Sequence, residues 1–248
     1  MKNGRPFLTA EWRYLAMLNW EIAPEVLRPL VPHGTQLDPF HGRTFVSLVG
    51  FRFLHTQVLG IPIPFHRHFD EVNLRFYVRR DGPEGMRHGV VFVSELVPRP
   101  AVTWLARLLF NEPYRTVRMR HRVDSGLARR GEHGVVEYDW LYGGRWHGLA
   151  VQTTGGPELP VAGSEAEFIT EHHWGYTAQP NGGSLEYEVA HPPWPVWMVR
   201  NARLDCDVTA VYGPAFAEAL AGEPHSAFVA QGSAVTVGRP RRLPPHVF

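Results

Sequence analysis

Apolar residues recur at every second position through much of this chain, the period of half-buried strands rather than of helices. That alternation predicts strands over Trp12–Trp20, Thr44–Phe53, Val72–Arg79, Gly89–Leu96, Tyr114–Arg122, Val135–Tyr142, Leu149–Thr153 and Ser184–Val189. It continues over Trp197–Tyr212, which need not be one unbroken strand, and over Ala227–Gln231 and Ala234–Val237. These segments are rich in Val, Phe, Tyr and Trp and bounded by Gly, Pro and Asp. Gly143-Gly144 reads as a hairpin turn. Four short helices are predicted. Pro24 opens one that runs to Leu30 and closes before Pro32. Pro100 opens Ala101–Phe110, apolar nearly all round and therefore expected to be buried. Ser164-Glu165-Ala166-Glu167 is a capping box that starts a helix towards His172. Pro214 opens Ala215–Ala221, with Gly222 at its end. Strands outnumber helices and no βαβ alternation is present, so the fold class is α+β, mostly β, with a barrel or strongly curved sheet. A single domain over residues 1–248 is expected, with Gly60–Pro64, Gly155–Gly163 and His191–Pro195 as loops.

One strand stands apart. In Phe69–Arg79, Val72, Leu74, Phe76 and Val78 point to one face and Glu71, Asn73, Arg75 and Tyr77 to the other. An ordinary exposed face carries Lys, Thr and Ser. This one gathers a carboxylate, an amide, a guanidinium and a phenol, groups that bind or move protons on an oxygen-rich small molecule.

Composition narrows the function classes. With 44% hydrophobic and 20% charged residues the chain reads as globular, not disordered. A net charge of +1 provides no field to gather nucleic acid or an anionic membrane. No apolar run approaches the length of a membrane span, and no signal-peptide core follows Met1, so a cytoplasmic protein is expected. Cys206 is the sole cysteine, which excludes internal disulfides, and its alternation with Leu204 and Val208 argues for inert packing. Lys2 is the sole lysine among 25 basic residues, so no internal lysine is available to form a Schiff base. Walker, dinucleotide-binding, nucleophile-elbow and zincin motifs are all absent.

The 14 histidines raise the question of a metal. His66 and His68 share a parity with Asp70, beside Glu71, and His147, His172 and His173 are further donors. None of these spacings is a recognisable ligand set, and the expectation is no metal and no cofactor. Arg115, Arg118, Arg120 and Arg122 form a stripe better read as solvated or paired with carboxylates. Trp146, Trp174, Trp194 and Trp197 are better read as packing than as a stacking platform.

Several segments, taken in order, resemble the acetoacetate decarboxylase superfamily. Glu11-Trp12-Arg13-Tyr14 and the following Ala23–Pro32 resemble its N-terminal Arg-bearing strand and the short helix ending in Val-Pro. Phe69-Asp70-Glu71 resembles its aromatic-x-Glu before a strand. Ala106-Arg107 to Pro113-Tyr114-Arg115 resembles its Gly-Arg helix and Pro-Lys-Lys corner. The chain is closer still to a bacterial family of unknown function beside the decarboxylase, through Asn73–Val78, Ala106-Arg107 with Pro113-Tyr114, Phe168–His172 and Val189–Trp194. The resemblance implies a cone-shaped closed β-barrel with short flanking helices and an interior pocket. It matches Arg13 and Glu71 to the family's active-site arginine and glutamate. It places Tyr114 where the reactive lysine stands, and Arg115 where a second lysine tunes it.

A phenol forms no imine, so Schiff-base decarboxylation is not expected here. What remains is a pocket for a small oxo or carboxylic acid, with Glu71 and Tyr114 as catalytic candidates and Arg13, Asn73, Arg75, Arg107 and Arg115 as binding candidates. Two functions follow: a non-catalytic binding protein, or an enzyme of imine-free proton transfer in which Glu71 moves the proton. A purely structural reading makes Glu71 and Arg75 part of a buried ion network, with Arg13 as partner for Glu71. No nucleic-acid or membrane partner is expected. The Trp-rich loop His191–Pro195, taken as exposed, is a candidate surface for a homo-oligomer.

Overall fold

The computed structural model describes residues 5–124, 127 and 134–243. Its strands are β1 (Leu8–Glu21), β2 (Gln36–Leu37), β3 (Phe45–Val58), β4 (Ile61–Pro62), β5 (Phe69–Gly82), β6 (Gly85–Val97), β7 (Tyr114–Thr116) and β8 (Arg118–Val123). They continue as β9 (Val135–Tyr142), β10 (Arg145–Glu158), β11 (Trp174–Ala178), β12 (Ser184–Ala190), β13 (Val196–Asp205), β14 (Ser226–Val237) and β15 (Arg241–Leu243). The helices are α1 (Pro24–Leu27), α2 (Pro100–Phe110), α3 (Glu165–Thr170), α4 (Val208–Tyr212) and α5 (Ala217–Leu220).

Seven strands close a barrel in the order β1-β3-β5-β6-β11-β12-β14. β14 completes the ring against β12, with Val189 opposite Val237 and Ala190 opposite Thr236. From β14 the sheet also continues outward through β13, β10, β9 and β8, and this second layer covers one flank of the barrel. Val72, Leu74, Phe76 and Val78 of β5 pack outward into a core shared with Val136, Tyr138 and Trp140 of β9 and Leu149 and Val151 of β10. The opposite face of β5 turns into the barrel. Both faces are thus buried, which is why a strand of strict alternation carries no exposed residue from Phe69 to Val78.

β1 bends to close the ring. Its register against β3 slips between Arg13 and Ala16, and Tyr14 takes a left-handed φ of 55°. Tyr138 reaches across from the second layer and donates its hydroxyl to the Tyr14 carbonyl at 2.9 Å. The Tyr138 ring lies on Gly50, where a Cβ would come within 2.6 Å of it. On the other side of the bend, Gly232 has φ +75°, and a Cβ there would sit 1.9 Å from the Trp12 carbonyl oxygen.

Several elements differ from expectation. Trp174–Ala178, not among the predicted strands, is one: Trp174, Tyr176 and Ala178 alternate with Gly175 and Thr177. The predicted strand Tyr114–Arg122 breaks at Val117, whose N–H bonds the Val97 carbonyl. Trp197–Tyr212 is a strand only to Asp205; the Asp207 carboxylate then accepts from the Ala210 N–H and caps α4. Ala227–Gln231 and Ala234–Val237 are one strand running through Gly232. Helix α2 is not buried all round: Thr103 and Phe110 are, but Trp104 is 66% exposed and Leu108 63%. It lies over the barrel opening, so only one side of it meets the interior. The loop before β13 is not an exposed aromatic surface either, because Trp194 is buried, stacked on His191 at 3.8 Å and bonded to Ser233 Oγ.

Candidate functional site

The inward face of β5 lines a cavity of about 360 Å³ with walls that are mostly aromatic and aliphatic, among them Trp12, Val49, Phe51, Phe92 and Val189. That volume is within the usual range for small-molecule sites. Trp104 and Ile63 stand at its rim. The polar groups gather in one place, and strand pairing explains how. Glu71, Asn73 and Arg75 alternate along β5. Asn73 lies directly opposite Glu95 of β6, and Glu95 lies opposite Tyr114 of β7. Cross-strand partners share a face, so all three point inward. Glu112 comes from the corner between α2 and β7, which Asn111 turns in a left-handed conformation at φ 57°.

Glu71 is held at both oxygens: Asn73 Nδ2 donates to Oε1 at 3.0 Å and the Tyr114 hydroxyl to Oε2 at 3.1 Å. Glu112 Oε1 accepts from Thr177 Oγ1 at 2.6 Å and from the Tyr187 hydroxyl at 2.8 Å. Burial pushes the Glu71 carboxyl up to about 7, against the pull of its two donors. Burial lifts Glu112 to about 7 as well, opposed by Thr177 and Tyr187. Glu95 is raised well above the ordinary carboxylate range by burial and by the negative charges of Glu112 and Glu71. Neither Glu95 Oε2 nor Glu112 Oε2 meets a donor among the described residues. Burial, together with the charges of Glu71 and Glu95, also drives the Tyr114 phenol well above its usual value, so it acts as a hydrogen-bond donor. The result is an apolar chamber ending in three carboxyls that titrate together. Such an arrangement can donate or accept a proton near neutral pH.

The predicted residues separate into two groups. Glu71, Asn73, Arg75 and Tyr114 all line the cavity. Arg75 spends one Nη2 contact on the Ile169 carbonyl at 3.3 Å, while its Nε has no partner among the described residues. Arg13 is elsewhere: its guanidinium pairs with Glu11 at 2.8 Å and donates to the Gly232 carbonyl, so it is not the partner of Glu71. Arg107 is exposed on α2. Arg115 points away from the chamber, to Ser94 Oγ and to the Val211 carbonyl. Its strand neighbour Tyr114 points in, so alternation sends Arg115 out. The sequence reading missed Glu95 and Glu112. A glutamate inside the apolar run Val93-Ser94-Glu95-Leu96, and another three residues before the Tyr114-Arg115 pair ends, were the available signals.

The histidines do not assemble around Glu71. His66 bonds the Pro64 carbonyl, His68 Nδ1 accepts from the His55 N–H, and Asp70 turns outward to His121 and Arg52. Cys206 is half-buried and burial lifts its thiol to about 12, far from nucleophilic use.

Residues 9–234 match the model of DUF2071, described as an uncharacterized conserved protein. The chain belongs to this family. Uncharacterized protein YqjF of Bacillus subtilis (strain 168) is 26% identical over 207 residues, covering 81% of this chain and 78% of YqjF. Among solved structures, acetoacetate decarboxylase from Legionella pneumophila superposes with a TM-score of 0.67 at 13% identity, over 98% of this chain and 92% of the other. The enduracididine biosynthesis enzyme MppR, complexed with pyruvate, gives 0.69 at 12% identity over 99% and 93%. An acetoacetate decarboxylase-like enzyme from Sphingomonas wittichii gives 0.66 at 14% over 98% and 95%. The DUF2071 chain therefore has the acetoacetate decarboxylase-like fold, and at these identities the likeness extends to the fold alone. Among the described residues no helix is long and apolar enough to cross a membrane.

Proposed function

We propose that this DUF2071 protein binds a small oxo or carboxylic acid with an apolar body in its barrel cavity, and that no imine forms. The observation that carries the reading is the chamber of about 360 Å³ whose apolar walls end on the hydrogen-bonded Glu71–Tyr114 pair. The ligand oxygen would take the Tyr114 hydroxyl and the free donor capacity of Arg75, and its hydrocarbon part would fill the aromatic walls. MppR, of the same fold, has been captured with the oxo acid pyruvate. The sole lysine of the sequence is Lys2, so among the described residues no lysine lines the chamber. Calorimetric titration of the full chain with short- and medium-chain oxo acids, carboxylic acids and ketones tests this. Saturable one-to-one binding, weakened about tenfold in Tyr114→Phe by loss of one hydrogen bond, is expected. Failure of every compound to bind would remove the reading.

A second reading is favoured by one observation, a carboxyl poised at about 7 beside a bound phenol. In it Glu71 removes a proton from the carbon next to the ligand carbonyl while Tyr114 donates to the developing enolate oxygen. Exchange of that proton in heavy water, followed by NMR and lost in Glu71→Gln, supports catalysis. Binding without exchange leaves a binding protein.

A further inference from the structure

Six residues beyond Glu71 on the same inward face, the Tyr77 ring of β5 meets a second polar cluster. The Asp38 N–H donates to the Tyr77 carbonyl, which fixes Asp38 against β5. Its Oδ2 lies 2.5 Å from His88 Nδ1 and 3.3 Å from His172 Nε2. His172 follows α3 and also lines the cavity, and its ring packs on Tyr77 at 4.6 Å. The three donor atoms lie within 4.8 Å of one another. Arg79 stands 4.0 Å from Oδ1, the other carboxylate oxygen, and leaves Oδ2 to the two imidazoles.

The orientation of His172 carries the inference. Its Nδ1 is 2.6 Å from the Phe168 carbonyl, an acceptor, so Nδ1 bears the hydrogen. The Nε2 lone pair is thereby turned onto a carboxylate oxygen, in a side chain only 2% exposed. Two acceptors facing each other in a buried place call for a positive charge between them, either a proton that makes His172 an imidazolium or a metal ion. An imidazole whose other nitrogen donates to a backbone carbonyl is also the usual posture of a metal-bound histidine. We propose that Asp38, His88 and His172 bind a divalent transition metal of the zinc class. Two imidazoles and one carboxylate form the donor set that suits such ions, and three protein ligands leave a coordination position open. Metal–ligand bonds near 2.0 Å put tetrahedral ligand atoms about 3.3 Å apart. The His172–Asp38 separation has that value already. The His88–Asp38 contact is shorter and must lengthen by less than about 1 Å; His88, 47% exposed, is free to swing outward.

The site is independent of whether the chamber binds an oxo acid, and its test uses no ligand. The full chain, stripped with a chelator, is titrated with Co²⁺ and then Zn²⁺ while visible absorption is followed. One equivalent of Co²⁺ should bring up d–d bands that Zn²⁺ displaces. His88→Ala removes an exposed ligand without opening the core, and should weaken Co²⁺ binding at least about tenfold. His66→Ala, an alteration at a histidine outside the cluster, should leave it unchanged. Asp38→Asn should abolish the bands, with His88→Ala as the decisive variant if the buried change disturbs folding. Absence of a Co²⁺ spectrum, or equal binding by His88→Ala and the parent, would overturn the proposal.

Discussion

A carboxyl buried beside an amide and a phenol titrates differently from one in water, and the difference links Glu71 to the stability of the protein. Its value of about 7 in the folded state is above the ordinary one. The native state therefore holds the proton more tightly than the unfolded chain. Stability from this group is complete below about 4.5, declines as pH rises, and is lost once pH passes about 7. Glu71→Gln removes that dependence. Relative to the parent, the variant should gain stability between pH 5 and pH 8, with a ceiling of roughly 3 kcal/mol from the size of the shift. Urea midpoints at the two values measure it; an equal difference at both would show that Glu71 is not perturbed. Alternation made Glu71, Asn73 and Arg75 legible in the sequence as one face, and the family resemblance turned that face inward. Glu95 was not legible, because its meaning comes from lying opposite Asn73 and Tyr114, and register between strands far apart in sequence leaves no local trace. Arg13 is turned away by local alternation instead, since its neighbour Trp12 lines the chamber.

The bend in β1 shows how backbone details position the site. Gly232, Gly50, Tyr138 and Tyr14 form one unit in which two glycines make room and one phenol ties the layers. Gly232→Ala would force a Cβ onto the Trp12 carbonyl in a left-handed backbone, and should cost at least about 3 kcal/mol. Tyr138→Phe keeps the ring on Gly50 and forfeits only its bond to Tyr14, about 1 kcal/mol. Equilibrium unfolding of both variants checks the order; equal losses would contradict it. Among the elements, those with a local signal were readable: Pro-opened helices, the Gly143-Gly144 turn and strictly alternating strands. The Trp174–Ala178 strand was missed although its residues alternate, because five residues are a short signal and pairing on both sides is what fixes it.

Taken as a whole, the molecule is a barrel with one end of its cavity apolar and the other acidic. The three carboxyls set a condition on any anionic ligand. A carboxylate entering beside Glu71 and Glu112, both near 7, raises their affinity for protons, so binding takes up a proton. Affinity for an oxo acid should therefore strengthen from pH 8 to pH 6, by up to about tenfold per unit for one linked proton, while that for a neutral ketone of the same shape stays flat. Titration calorimetry in two buffers of different ionisation heat counts the proton directly; an acid that binds with no uptake would place its carboxylate away from the cluster. A barrel or strongly curved sheet could be anticipated from strand number and the absence of βαβ units, and its closure from the resemblance to the acetoacetate decarboxylase superfamily, whereas the acidity of its chamber emerged only when β5, β6 and the corner before β7 came together. The most direct test of the central claim is carbon-13 NMR of an oxo acid labelled at the carbonyl and bound to the full chain. A bound resonance that remains a carbonyl, displaced by hydrogen bonding and moved back in Tyr114→Phe, is the predicted result. An imine resonance, or a spectrum unchanged by the protein, would contradict it.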